Sequence, residues 1–171
     1  WRISEESFMR DRGFSELRLR AGWGLQGNPG VPPYSSLALI EPTTGARYPF
    51  GDAVVFGVIP TREPNPDLKW EETSQFNVAL DYGFLNNRLS GSVEYYVKNT
   101  SDLLLEVSNP QPSFAEKRLV NVGKVRNRGL EVSLDALALS RPNLTWRAGL
   151  VFAAERNKVV DLGPFTAIAS G

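Results

Sequence analysis

The chain of 171 residues has no cysteine and no histidine. Without cysteine there are no disulfides and no thiolate metal sites, and the redox compartment leaves no trace in the sequence. Without histidine, a histidine-based catalytic triad, imidazole metal ligation and a histidine pH switch are all excluded. Charge of one sign is also missing. Nineteen Lys and Arg balance nineteen Asp and Glu, so no basic excess points to nucleic acid and no acidic tail points to disorder. No apolar run approaches the roughly 18 residues of a membrane helix. The greasiest, Leu150 to Ala154, is strand-sized. Trp1-Arg2-Ile3-Ser4 has neither the basic start nor the apolar stretch of a signal peptide. A secreted barrel needs one, so the expectation is a fragment whose start lies upstream.

What the sequence has instead is alternation. Phe76, Val78, Leu80, Tyr82 and Phe84 interleave with Gln75, Asn77, Ala79, Asp81 and Gly83. Successive strand side chains point to opposite faces, so this is a strand with one oily and one wet side. The pattern recurs. Leu17, Leu19, Ala21 and Trp23 oppose Arg18 and Arg20 within 15–25. Leu89, Val93, Tyr95 and Val97 oppose Ser90, Ser92, Glu94, Tyr96 and Lys98 within 89–99. A long stretch over about 118–139, with a kink expected at 127–129, carries Leu130, Val132, Leu134 and Ala136 against Glu131, Ser133 and Asp135. The last clear strand, 144–156, has Trp146, Ala148, Leu150, Phe152 and Ala154 on its apolar side; the tail beyond is uninformative.

Between these strands the connections alternate in length. Residues 5–14 read as a short connector with one helical turn capped by Ser4. The segment 26–69 holds eight of the twelve prolines and cannot be continuous central sheet. Two apolar patches within it, 37–40 and 53–59, suggest a small hairpin. Leu85-Asn86-Asn87-Arg88 is a tight turn, because asparagine tolerates left-handed backbone angles. A loop is expected over 100–117, and a second tight turn around Pro142. Short turns at one end and long loops at the other, with strands of about 9–11 residues or more, fit a transmembrane β-barrel. Soluble strands cluster at about 5–6 residues. The competing fold is a soluble β-sandwich carbohydrate-binding module.

Three motifs have chemical readings. Gly22-Trp23-Gly24-Leu25-Gln26-Gly27 matches the dinucleotide G-x-G-x-x-G, with Glu41 about twenty residues on. Pro29, Pro32 and Pro33 forbid the helix that must follow it. Asp81, Glu94, Glu131 and Asp135 are candidate glycosidase carboxylates. The favoured reading is structural: they neutralise Arg18, Arg20, Lys98 and Arg147 on a polar interior. Trp23, Tyr82, Phe84, Tyr95 and Trp146 are candidates for an interfacial aromatic girdle. Tyr34, Tyr48, Phe50 and Phe56 in the long segment are read as loop packing rather than sugar platforms.

Several words are familiar. Asn65-Pro66-Asp67-Leu68-Lys69-Trp70-Glu71-Glu72-Thr73 resembles a signature of the SusC/RagA family of TonB-linked outer-membrane proteins. So do the hairpin Phe84–Tyr96, the stretch Asn121–Glu131, and Leu17–Gly24 with Gly27-Asn28. Trp1 to Glu6 looks like the end of the strand before them. The resemblance implies that 1–171 is part of an all-β, antiparallel meander in the C-terminal part of a plugged barrel in the bacterial outer membrane. The long extracellular loop would be about 26–69. It implies import of glycan or peptide, a SusD-like surface lipoprotein as lid, the TonB complex acting through a plug this segment lacks, and outer-membrane lipid around the wall. It implies no enzyme, no nucleic acid, no cofactor and no metal. No catalytic or cofactor-binding residue is assigned, and no substrate-binding residue is identified.

Overall fold

The computed structural model describes residues 1–9 and 12–164. Two 3-10 turns, Ile3–Glu5 and Ser7–Met9, are followed by nine strands: β1 Phe14–Asn28, β2 Leu39–Phe50, β3 Ala53–Glu63, β4 Glu71–Phe84, β5 Leu89–Ser101, β6 Leu104–Ser108, β7 Lys117–Asn121, β8 Lys124–Arg141 and β9 Leu144–Asp161. They form a five-stranded sheet in the order β1-β4-β5-β8-β9 and a four-stranded sheet in the order β2-β3-β7-β6. The chain divides into two units. Among the described residues, the first comprises Trp1–Gln26, Ser74–Asn99 and Val125–Val159; the second comprises Gly27–Thr73, Thr100–Lys124 and 160–164.

The first unit is built on the alternation. Its strands belong to elements of 13 to 18 residues. At about 3.3 Å per residue and a tilt near 45°, even the shortest spans about 30 Å of depth. Leu85, Asn86 and Asn87 all take positive φ, which makes the β4–β5 turn tight as the asparagines predict. The β8–β9 connection is short as well, with Pro142 and Asn143 outside both strands. Trp1 lies against β1 as an antiparallel strand end. Its amino group donates to the Leu19 carbonyl at 2.8 Å and its carbonyl accepts from the Leu19 amide at 2.9 Å.

Glycines let aromatic rings lie flat on this sheet. The Tyr82 ring covers Gly91 and its hydroxyl donates to the Ser133 carbonyl at 3.3 Å. The Tyr96 ring covers Gly129, where a Cβ would stand 2.6 Å from the ring.

Hydrophobic side chains remain largely uncovered. Among the described residues only Ala79 and Ala115 are buried hydrophobics, and no large side chain is fully buried. Phe76 is 45% exposed, Trp146 62% and Leu150 63%. A sandwich must bury the inner faces of its sheets, so these exposures overturn the soluble-sandwich alternative.

The second unit departs most from expectation. The hairpin of β2 and β3 is longer than the two apolar patches suggest, pairing Leu39↔Arg62 through Phe50↔Ala53 around Gly51 and Asp52. Pro42, Pro49 and Pro60 are accommodated because proline is tolerated where its ring faces an open edge or an irregularity; the ladder shifts register between Thr43 and Arg47. A short strand, β6, lies inside the expected 100–117 loop and pairs antiparallel with β7 from Leu104↔Asn121 to Ser108↔Lys117. β7 also meets β3 in parallel at Arg62↔Lys117.

Other expectations need correction. The stretch expected over 118–139 is two strands, broken at Val122-Gly123 rather than kinked at 127–129. Gly123 takes φ +96 there, a conformation that suits glycine. Ser4 lies inside the first 3-10 turn, and Arg2, at its N-cap, makes no side-chain cap. Part of the 5–14 connector, residues 10–11, lies outside the described residues, as does the tail over 165–171. β9 runs five residues past Arg156, where alternation gives way to the charged run Glu155-Arg156-Asn157-Lys158.

Candidate functional site

The polar face of the first unit carries a charge network. Arg20 on β1 donates from Nε and an Nη to both Asp81 oxygens, at 2.8 and 2.9 Å. The same guanidinium lies 3.9 Å from Glu94 on β5. Asn77 donates to Glu94 at 3.4 Å. Gly22 makes room for it, since a Cβ there would stand 2.6 Å from the Asn77 Oδ1. Further along, Ser92 and Ser133 share a hydroxyl hydrogen bond of 2.9 Å.

Two of the four candidate carboxylates, Asp81 and Glu94, are engaged by Arg20. Asp81 is engaged by a bidentate guanidinium, the geometry of a structural ion pair, and Glu94 shares that cation. Asp135 and Arg147 line one cavity of about 280 Å³ without a direct bond. Arg18 pairs with its own neighbour Glu16 at 2.6 Å rather than with the four carboxylates. Glu131 and Lys98 make no salt bridge among the described residues. Asp81→Asn is expected to leave the fold intact and lower stability by about 0.5–1 kcal/mol, because the pair is partly solvated. Urea unfolding of wild type and variant in the same detergent checks it. A loss above about 3 kcal/mol would mean that Arg20 is far less solvated than its exposure implies.

Opposite this polar face lies the apolar one. Leu17, Leu19, Ala21 and Trp23 on β1 share a side; so do Phe76, Val78 and Leu80 on β4, Val93 and Val97 on β5, Leu130, Val132 and Leu134 on β8, and Trp146 to Ala154 on β9. Phe14, Tyr82 and Phe84 cluster at the tight-turn end, with ring centroids 4.6 Å apart for Phe14–Phe84 and 6.0 Å for Tyr82–Phe84. Trp146 stands two residues from the start of β9. Tyr95 is at the middle of β5, so it belongs to the apolar band and not to a girdle.

The second unit holds an arrangement that sequence inspection misses. Asn65 donates to the Leu119 carbonyl at 2.8 Å. The Lys69 amide donates to Asn121 Oδ1 at 2.8 Å, and Asn121 Nδ2 donates back to the Lys69 carbonyl at 2.6 Å. Lys69 Nζ pairs with Asp102 at 2.7 Å. Glu71 accepts from Asn28 and from the Leu104 amide, both at 3.0 Å. Three of the familiar words thus meet in one clamp. The only available signal was their co-occurrence, because the bonds join residues 33 to 54 positions apart. The loop aromatics do not pack as expected: Tyr34, Tyr48 and Phe50 stand exposed, while Phe56 carries Arg47 over its ring at 5.3 Å.

Long antiparallel strands, a charged inner face, an uncovered apolar outer face and two tight turns define a piece of the wall of a transmembrane β-barrel. The family model described as "TonB dependent receptor-like, beta-barrel" matches residues 12–167, and the chain belongs to that family. It is 36% identical over 164 residues to TonB-dependent receptor P26 of Formosa agariphila and 34% identical over 167 residues to TonB-dependent receptor SusC of Bacteroides thetaiotaomicron. Each alignment covers 95% of this chain and 16% of the relative, so the chain spans about a sixth of their length. Among solved structures it resembles a chain of the RagAB peptide importer in its "open-open" state, with TM-score 0.81 and 31% identity over 95% of this chain and 17% of that one.

Proposed function

We propose that this segment is wall in the barrel of an outer-membrane, TonB-dependent importer of glycan or peptide. It contributes no catalysis. The observation that carries this reading is the uncovered apolar face, with Trp146, Leu150 and Phe152 all more than half exposed, opposite the Arg20–Asp81–Glu94 network. In lipid the apolar face loses no contact with water that it needs, and the charged face stays in an aqueous interior. The outer strands β1 and β9 then need neighbours, since unpaired backbone groups in hydrocarbon each cost several kcal/mol. The Trp1–Leu19 pairing is the beginning of one. Relatives named as receptors and a peptide importer support uptake over enzymatic work. They also support a SusD-like lipoprotein as lid and the TonB complex as energy source, reached through a plug elsewhere in the whole receptor.

The test uses the full receptor in its own cell. It is expected in the outer-membrane fraction, extractable only with detergent. Its deletion is expected to abolish growth on one class of glycan or on oligopeptides. Recovery in the soluble fraction, or undiminished growth across a panel of glycans and oligopeptides, would remove the importer reading.

A further inference from the structure

On the apolar face, the change from oil to charge is abrupt. Along β9 the series Trp146, Ala148, Leu150, Phe152, Ala154 continues in the same register as Arg156 and Lys158. Along β8, Leu134, Val132 and Leu130 continue as Arg128 and Arg126. The four cations come together, lining a shallow cleft of about 180 Å³. All four are exposed, and none makes a salt bridge among the described residues. Arg126 is oriented by Asn99, which accepts from its Nε at 2.8 Å. This is a local charge of +4 on a chain whose formal net charge is zero.

The depth of the cleft follows from the strand. Trp146 and Arg156 are ten residues apart, about 33 Å of strand. A tilt near 45° converts this to about 23 Å, close to the ~25 Å height of a barrel's apolar band. With Trp146 at the tight-turn interface, the four cations stand at the opposite, extracellular one. Asn99 on β5 and Ser74 on β4 mark the same switch from apolar to polar. Unpaired cations here face outward, away from the interior and from any cargo.

We infer that Arg126, Arg128, Arg156 and Lys158 form a binding site for the phosphorylated headgroup of an outer-leaflet glycolipid. Exposed guanidinium groups suit phosphate oxygens, in bidentate fashion where geometry allows. The acyl chains of such a lipid would lie along Leu130, Val132, Leu150 and Phe152 directly below. A free anion would satisfy the charges but leave that adjoining apolar strip unused.

The inference rests on the membrane reading, so the experiment separates the two. The full receptor, delipidated in mild detergent, is titrated with phosphorylated lipid A, with enzymatically dephosphorylated lipid A, and with inorganic phosphate, and bound lipid is counted by native mass spectrometry. Phosphorylated lipid A is expected to bind to wild type. The double variant R128Q/R156Q should bind it about thirtyfold more weakly, given the usual worth of a basic residue at a membrane surface. R128K/R156K, which keeps the charge but loses the planar fork, should bind with an affinity between those of wild type and R128Q/R156Q, and K117Q/R118Q, an equal charge loss elsewhere, should be unaffected. Equal binding of the dephosphorylated lipid, an unchanged R128Q/R156Q, or complete displacement by millimolar inorganic phosphate would each overturn the site. Quenching by brominated lipid, taken as the difference between wild type and Trp146→Phe, reports the membrane reading by itself. Quenching with no loss in R128Q/R156Q rejects only the lipid site, whereas absence of quenching removes both.

Discussion

Leu150→Arg is expected to destabilise the inserted barrel by roughly 2–4 kcal/mol, the cost of a cation near the bilayer midplane. Val151→Arg, one residue further, is expected to cost less than about 1 kcal/mol. The contrast is informative because both side chains are largely uncovered, Leu150 at 63% and Val151 at 79%. A water-soluble protein would treat these two surface positions alike, with changes within about 0.5 kcal/mol. In a barrel wall, however, Leu150 shares its side with Trp146 and Phe152. Val151 shares its side with Arg147 and Glu155, where a new cation stays in water. Equilibrium unfolding of the full receptor in lipid vesicles, followed by tryptophan fluorescence, measures both. Equal costs at the two positions would show that the faces are assigned wrongly.

Gly91→Ala is the second large effect, expected at about 1–3 kcal/mol, the usual range for forcing a methyl into filled space. A Cβ at Gly91 meets the Ser133 backbone carbonyl and the Tyr82 ring, whose hydroxyl would be 2.7 Å away. The carbonyl belongs to the neighbouring strand and cannot swing aside. Gly129→Ala should cost a similar amount for a different reason, since its nearest obstruction is the Tyr96 side chain. A double-mutant cycle separates the two cases. Tyr96→Ala should recover most of the Gly129→Ala penalty, whereas Tyr82→Ala should recover little of the Gly91→Ala penalty. Thermal unfolding in one detergent reads both cycles. If Tyr82→Ala fully rescues Gly91→Ala, strand β8 yields more readily than a hydrogen-bonded ladder should.

Much of the first unit was legible because its information is local. A two-residue repeat names the face of every side chain without reference to any partner, and Asn86-Asn87 and Pro142 mark the turns. The clamp of Asn65, Lys69, Glu71, Asn121 and Asp102 was not legible, since nothing in the local chemistry of an asparagine says which carbonyl it will meet. The hairpin β2–β3 was underestimated because proline argues against sheet wherever both ladder sides are used, and a hairpin leaves some sides free. The strand break at Gly123 was placed too late, because glycine reveals a need for positive φ only where the chain is seen to turn. The aromatic assignment of Tyr95 failed for a related reason. Its distance from the strand ends depended on boundaries that alternation locates only within a few residues.

The sequence by itself determined that these ribbons have an oily side and a charged side, because side-chain direction in an extended chain is fixed by stereochemistry. Only the tertiary structure decided which charges meet. Arg20 reaches Asp81 61 residues away, and Arg126 and Arg128 stand beside Arg156 and Lys158. Those neighbours are set by strand order and register, which arise from hydrogen bonds between distant segments and leave no periodic mark in the chain.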